Sequence, residues 1–142
     1  SSAATIPINL ECAKRNGTSP EIREFVVPLC ATIHLAGSII TITSCVVTVL
    51  MMNNMAYDVT KVFPFILVLG VAMVAAPGAP GGAIMSALPF LGMVGIAANS
   101  PLASLLIALY ITQDSFGTAA NVSGDNAIAI IVDWIYHKFI KK

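Results

Sequence analysis

The longest stretch without a charged side chain runs from Val62 to Gln113, which is 52 residues without Asp, Glu, Lys or Arg. A second charge-free stretch runs from Phe25 to Tyr57. A helix that crosses the hydrocarbon core of a bilayer needs about 20 mostly apolar residues. The two stretches have room for two or three membrane spans. We therefore expect a membrane protein that is embedded in the lipid bilayer.

The composition of the 142 residues excludes several other classes of protein. Hydrophobic residues make up 57%, charged residues 10%, and the net charge is zero; the mean hydropathy is +0.88. Soluble domains carry about 25% charged residues, and nucleic-acid binding needs a basic surface. The spacing of Cys12, Cys30 and Cys45 fits neither a zinc site nor a disulfide framework. We therefore expect no nucleic-acid partner and no cofactor.

A cluster of Gly and Pro divides the long charge-free stretch at residues 75–82. Such a cluster ends a helix. The flanking segments Val62–Val74 and Ala83–Gly95 are each about 20 Å long as helices, whereas the hydrocarbon core is about 30 Å thick. Residues 62–97 are thus predicted to form a re-entrant hairpin whose tip lines a cavity or is buried in protein.

The remaining sequence divides into three predicted helical units. Residues 1–17 form a short helix, and residues 19–56 form a long one that starts at Ser19-Pro20 and is interrupted near His34, Gly37 and Ser38. Residues 100–137 form the last transmembrane helix. The chain opens without Met or a signal peptide, so we expect it to be a piece of a longer protein, unable to transport alone.

Four polar residues recur in the middle of the last helix: Asp114, Thr118, Asn121 and Asp125. At about 100° per residue they fall within a stripe roughly 60° wide. Gly117 lies beside this stripe and leaves room for a ligand or a neighbouring backbone. Acidic residues inside a membrane are costly and usually functional; the alternative is that they pair with residues of the missing part.

An internal repeat indicates how the helices are arranged. Ser2 to Gly37 and Gly82 to Gly117 have equal spacing, and Ser-Pro recurs at matching places. Inverted repeats with broken helices are typical of secondary transporters. We therefore expect an all-α polytopic membrane protein in which re-entrant helical hairpins and broken transmembrane helices form an inverted repeat.

The basic residues predict the orientation in the membrane. Six of the seven fall at one side of the predicted path, and only Lys61 falls at the other. Basic residues concentrate on the cytoplasmic side. The prediction is a multi-pass protein of the cell inner (cytoplasmic) membrane with a cytoplasmic C-terminus.

Several motifs resemble the dicarboxylate/amino-acid:cation symporter family, also called the glutamate-transporter family. Thr112–Asp125 resembles its last core helix and keeps the Asn-Val-x-Gly-Asp ending. Ser1–Pro7 resembles the tip of the first hairpin, which makes residues 1–17 its second arm. Gly78–Ala83 resembles the tip of the second hairpin, and Pro28–Thr32 the entry to the unwound segment. The chain would then be the C-terminal part of the transport domain, without the scaffold.

The resemblance implies roles for individual residues. Asp114 matches the position that holds a substrate amino group, and Thr118 and Asn121 match positions that touch the substrate. Ser2 and Ser38 match polar contacts at the tip and at the unwound segment. It also implies symport by an elevator mechanism and a homotrimer in the full-length protein.

The resemblance assigns the cation site to Asn121 and Asp125, with backbone carbonyls near Cys30 and Thr32. Two departures from the family bear on function. Gly117 stands where acidic-substrate members carry Arg, which favours a small neutral amino acid over a dicarboxylate. The family motif Asn-Met-Asp-Gly-Thr is replaced by the five residues that begin at His34, so at least one sodium site is expected to be weakened.

The coupling ion therefore remains open between Na⁺ and H⁺. Histidine titrates near neutral pH, which makes proton coupling through His34 one hypothesis; a buried histidine bonded to a carbonyl is the alternative. For the whole protein, an ion channel or a degenerate paralogue that no longer couples to cations are the alternatives to a symporter.

Overall fold

The computed structural model describes residues 1–141, and within this range every regular element is helical. The expectation of an all-helical chain is thus confirmed. Short 3₁₀ segments cover Ala3–Thr5, Met73–Ala75 and Leu88–Val94, and a π-helical turn covers Tyr136–Ile140. The α-helices are α1 (Ile6–Arg15), α2 (Pro20–Ile33), α3 (Ala36–Met52), α4 (Val59–Ala72), α5 (Gly82–Ala87) and α6 (Pro101–Ile135).

Helices α2 and α6 both begin with proline immediately after serine. Proline suits the first helical position because its fixed φ matches the helix and its missing N–H needs no partner there. The Ser100 hydroxyl accepts a hydrogen bond from the Ala103 N–H at 3.2 Å. Ser19 differs, since its N–H and hydroxyl both donate to Asp133 Oδ1, at 3.1 and 2.5 Å. The start of α2 is thereby joined to the end of α6.

The long apolar helix is broken at His34 and Leu35, between α2 and α3. His34 has extended backbone, with φ −108° and ψ 90°. The sequence indicated an interruption near His34, Gly37 and Ser38, but Gly37 and Ser38 already belong to the first turn of α3. The Asn121 side chain of α6 accepts hydrogen bonds from the N–H groups of these two residues. This allows α3 to begin at Ala36.

The segment predicted as the second hairpin contains two short helical arms on either side of a turn. Its first helix begins at Val59 rather than Val62, because the Asp58 carboxylate accepts from the Thr60 N–H at 3.0 Å. Hydrogen bonds from the Thr60 hydroxyl and N–H also lower the pKa of Asp58. At the turn, Gly81 has φ +72°, a left-handed conformation that glycine adopts without strain.

Helix α6 connects two clusters of buried apolar residues. Its N-terminal half, including Leu106 and Tyr110, packs with α3, α4, α5 and the 3₁₀ segment that follows α5. Its C-terminal half contributes Ala129 to a smaller cluster with α1 and α2. The polar stripe of α6 lies between the two clusters, at the level of the α2–α3 break.

By length and composition, one helical stretch among residues 1–141, Pro20–Met52, is apolar enough to cross a membrane. The helical stretches Val59–Ala75 and Gly82–Val94 are apolar but shorter. At about 1.5 Å per residue, these two stretches would reach roughly 26 and 20 Å. Neither matches a hydrocarbon core of about 30 Å.

Helices α3 and α6 touch through their backbones at Gly37. A Cβ added to Gly37 would lie 2.3 Å from the carbonyl oxygen of Gly117 and 2.6 Å from the Cβ of Ala120. Since the obstacle is backbone, the helices would have to move apart. We expect Gly37→Ala to reduce stability by about 1–3 kcal/mol, measured as a lower unfolding temperature of the detergent-solubilised protein.

Gly70 in α4 provides the matched control, because a Cβ there would meet nothing within 4 Å. Gly70→Ala should leave stability unchanged or raise it by up to about 1 kcal/mol. Equal effects of the two substitutions would contradict the close α3–α6 contact.

Candidate functional site

Asn121 binds the N-terminus of α3 with its side chain. Its Oδ1 accepts hydrogen bonds from the N–H groups of Gly37 at 2.8 Å and Ser38 at 3.4 Å. Its Nδ2 donates to the Ser38 hydroxyl at 3.0 Å. The residue that precedes α3 is Leu35, which has no side-chain acceptor for these N–H groups. Asn121, which is 1% exposed, supplies that cap from another helix.

One helical turn further along α6, Asp125 contacts the other side of the break. Its Oδ1 lies 2.9 Å from Nδ1 of His34. Asp125 is fully buried, and its Oδ2 has no hydrogen-bond partner. Gly124 leaves the space for the imidazole, since a Cβ there would lie 2.4 Å from Cε1 of His34. A buried carboxylate oxygen without a partner is suited to a cation or a donor that the described residues do not supply.

Asp114 lies two turns before Asn121 and is partly buried. Its Oδ1 accepts a hydrogen bond from the Tyr110 hydroxyl at 2.9 Å. Among residues 1–141, no Lys, Arg or His side chain forms an ion pair with Asp114. Among the described residues, the Asp114 carboxylate therefore has a neutral hydrogen-bond donor and no cationic partner.

A small cavity lies between the stripe, the start of α3 and the two segments predicted as hairpin tips, at residues 1–2 and 77–79. Its volume is about 10 Å³, which is room for one water molecule at most. The Ser1 hydroxyl donates to the Gly78 carbonyl oxygen at 2.5 Å, so the two tips touch. The lining residues are Ser1, Ser2, Leu35, Ser38, Pro77, Gly78, Ala79, Ala83, Tyr110, Asp114, Thr118 and Asn121.

The structure brings most of the predicted substrate residues together around this cavity. Ser2, Ser38, Thr118 and Asn121 line it and are buried. Asp114 also lines it and is partly buried. Gly117 is buried but does not line the cavity. A Cβ at Gly117 would lie 3.0 Å from the Thr41 hydroxyl and 3.4 Å from the Gly37 carbonyl oxygen.

The residues predicted for the cation site are less well grouped. Asp125 has a free oxygen, whereas the Asn121 oxygen is bound to the N-terminus of α3. The Thr32 side chain is exposed, and its hydroxyl donates to the Leu29 carbonyl oxygen at 2.8 Å. Within residues 1–141, no three side chains of His, Cys, Asp or Glu converge on one point. A hard cation at Asp125 would need further backbone carbonyl oxygens as ligands.

Sequence reasoning missed Tyr110, which is 1% exposed and lines the cavity. Its spacing from Asp114 could have identified it, because residues four apart share a helix face. The sequence also gave no sign that Leu35 would line the same cavity, since that depends on where the helix breaks between α2 and α3.

Comparison with known proteins identifies the family. The sodium:dicarboxylate symporter family matches residues 1–135. The chain belongs to this family. Members of this family are transporters and membrane proteins. The chain is therefore located in a membrane and belongs to a family of transporters.

Several curated relatives match most of the chain. The serine/threonine transporter SstT of Acinetobacter baylyi is 30% identical over 135 residues, which is 94% of this chain and 34% of that protein. The SstT of Acinetobacter baumannii is 31% identical with the same coverage. Human neutral amino acid transporter A is 27% identical over the whole chain, which covers 26% of it. No solved structure matches the chain.

The chain thus spans about a third or less of the length of these relatives.

The Asn121 cap leads to a prediction about stability. Asn121→Ala would leave the Gly37 and Ser38 N–H groups buried without their acceptor. Loss of an N-cap costs about 0.5–2 kcal/mol, so we expect a clearly lower unfolding temperature. Asn99 is exposed, and Asn99→Ala is the control that should leave the unfolding temperature unchanged. Equal unfolding temperatures for the two variants would show that Asn121 does not hold the break.

Proposed function

We propose that the full-length protein performs cation-coupled symport of a small neutral amino acid across the cytoplasmic membrane. The observation that carries this proposal is the charge of the cavity lining. Asp114 is the one acidic side chain among the lining residues, and no Lys or Arg is present among them. A substrate with one ammonium group and one carboxylate suits this lining, because Asp114 binds the ammonium.

The substrate carboxylate needs donors other than basic side chains. Ser1 and Ser2 immediately precede the helical segment that starts at Ala3. N–H groups at the start of a helix bind anions because they lack partners within the helix. We assign the α-carboxylate to this tip and the amino group to Asp114.

A second carboxylate, as in aspartate or succinate, has no such partner. The position beside the stripe at which acidic-substrate members carry Arg is Gly117, and α3 occupies the space around it. A Cβ there would lie 3.0 Å from the Thr41 hydroxyl, so a side chain at this position would require Thr41 to shift. This crowding supports a neutral substrate, as do the names of relatives described as serine/threonine and neutral amino acid transporters.

The arrangement of helices supports an inverted repeat with alternating access. The two tips meet at Ser1 and Gly78, and α2–α3 is broken beside the polar stripe. At one end of the molecule Lys141 lies 2.7 Å from Glu21, which puts Lys141 near the start of α2. This proximity supports a single cytoplasmic side for Lys141 and for Arg23, which lies in the first turn of α2. By family resemblance we propose an elevator movement and a homotrimer.

The coupling ion is assigned to Asp125. The family's name favours Na⁺, and the free Oδ2 of Asp125 is a suitable ligand. The contact between His34 and the other oxygen of Asp125 is the specific observation that favours H⁺ as the second candidate. An imidazole in this place takes up space that a hydrated or partly hydrated cation would need.

The proposal is tested by uptake into proteoliposomes that contain the full-length protein. We expect saturable accumulation of labelled serine or alanine driven by an inward Na⁺ gradient, with aspartate and succinate transported at least about tenfold less efficiently. Strong uptake of aspartate or succinate would contradict the neutral assignment. Voltage-driven current without saturable uptake would support a channel instead.

The coupling ion is tested by a separate comparison. Serine uptake by wild type and His34→Gln is measured across pH, each with a Na⁺ or a proton gradient. Coupling through Na⁺ predicts matching pH profiles and a requirement for Na⁺ in both proteins. If wild type shows proton-driven uptake and His34→Gln abolishes it, the coupling ion is H⁺ rather than Na⁺, and His34 is the residue that couples it to transport. His137 is exposed and lies in the turn that follows α6. The His137→Gln variant is the control for a general effect of removing an imidazole.

A further inference from the structure

The Tyr110 side chain is buried among apolar residues, but its hydroxyl reaches the candidate substrate cavity. The ring belongs to the larger apolar cluster, formed by residues of α3, α4, α5 and α6. A fully buried aromatic ring in a packed cluster is held in one orientation. The hydroxyl donates to Asp114 Oδ1 at 2.9 Å, so the fixed ring determines where that oxygen lies.

The partner of Asp114 matters because the carboxylate has no basic neighbour among the described residues. A lysine or arginine beside it would neutralise the charge and compete with a substrate ammonium. A phenol hydroxyl instead restrains the carboxylate and leaves its negative charge in place. Since Oδ1 is occupied by Tyr110, the second oxygen, Oδ2, is the one that remains for a ligand.

We propose that Tyr110 is a positioning residue that orients Asp114 for the ammonium group of the substrate. The role rests on the proposed function, because it requires that an amino acid binds in this cavity. It narrows the substrate class to compounds with a free amino group. An acid without an amino group has no cation for the Asp114 carboxylate to bind.

The test is the kinetics of serine uptake by the full-length protein in proteoliposomes. Tyr110→Phe keeps the ring in the cluster and removes the hydroxyl. We expect the KM for serine to rise about tenfold, which corresponds to about 1.4 kcal/mol, while Vmax stays within about twofold of wild type. The half-saturating concentration of the coupling ion, measured at saturating serine, should be unchanged.

A merely structural role of Tyr110 gives a different pattern. It would lower Vmax, change the affinity for the coupling ion and reduce the unfolding temperature together. Tyr136→Phe removes a hydroxyl at the far end of α6, about 39 Å away along the helix, and should match wild type. Tyr110→Met, which also removes the hydroxyl, should raise the serine KM at least as much as Tyr110→Phe.

The outcomes separate this inference from the proposed function. If wild type accumulates serine and Tyr110→Phe has the wild-type KM, the positioning role is wrong and the symporter proposal stands. A fall in Vmax at unchanged KM also overturns the positioning role. If wild type transports no amino acid under either ion gradient, both proposals are overturned.

Discussion

The hydrogen bonds from the start of α3 to Asn121 are the interaction on which the rest of the site depends. A helix that is broken within a membrane exposes N–H groups that no water can reach, and each unsatisfied group costs several kcal/mol. Leu35 cannot cap α3, so the acceptor comes from α6. This requirement aligns the break with the polar stripe and brings α3 against α6 closely enough that Gly37 has no room for a side chain.

Once α6 is fixed in this way, three of the four polar residues of its stripe make separate contacts. Asn121 holds α3, Asp125 contacts His34, and Asp114 is directed toward the cavity with Tyr110 as its only side-chain hydrogen-bond partner among the described residues. On the other side of the cavity the Ser1 hydroxyl donates to the Gly78 carbonyl oxygen. We propose that binding of a substrate requires Ser1 and Gly78 to separate, because the cavity has room for no more than one water molecule.

The sequence predicts the parts of this arrangement that depend on local chemistry. The 100° spacing identified the stripe, the Gly and Pro residues predicted the turn that precedes α5, and Ser-Pro marked the starts of α2 and α6. It did not give the exact break at His34–Leu35 or the role of Tyr110. Both depend on which side chain of α6 meets which N–H or carboxylate, and that follows from how two distant segments pack.

We propose that substrate binds beneath the contact between Ser1 and Gly78. The most direct test is a reversible cross-link between these two residues, with Ser1→Cys and Gly78→Cys introduced into the full-length protein after replacement of its native cysteines. The oxidised protein should lose serine binding, measured by calorimetry, and reduction should restore it. The single-cysteine variants, treated in the same way, should bind serine throughout. Undiminished serine binding by the fully cross-linked protein would contradict the claim.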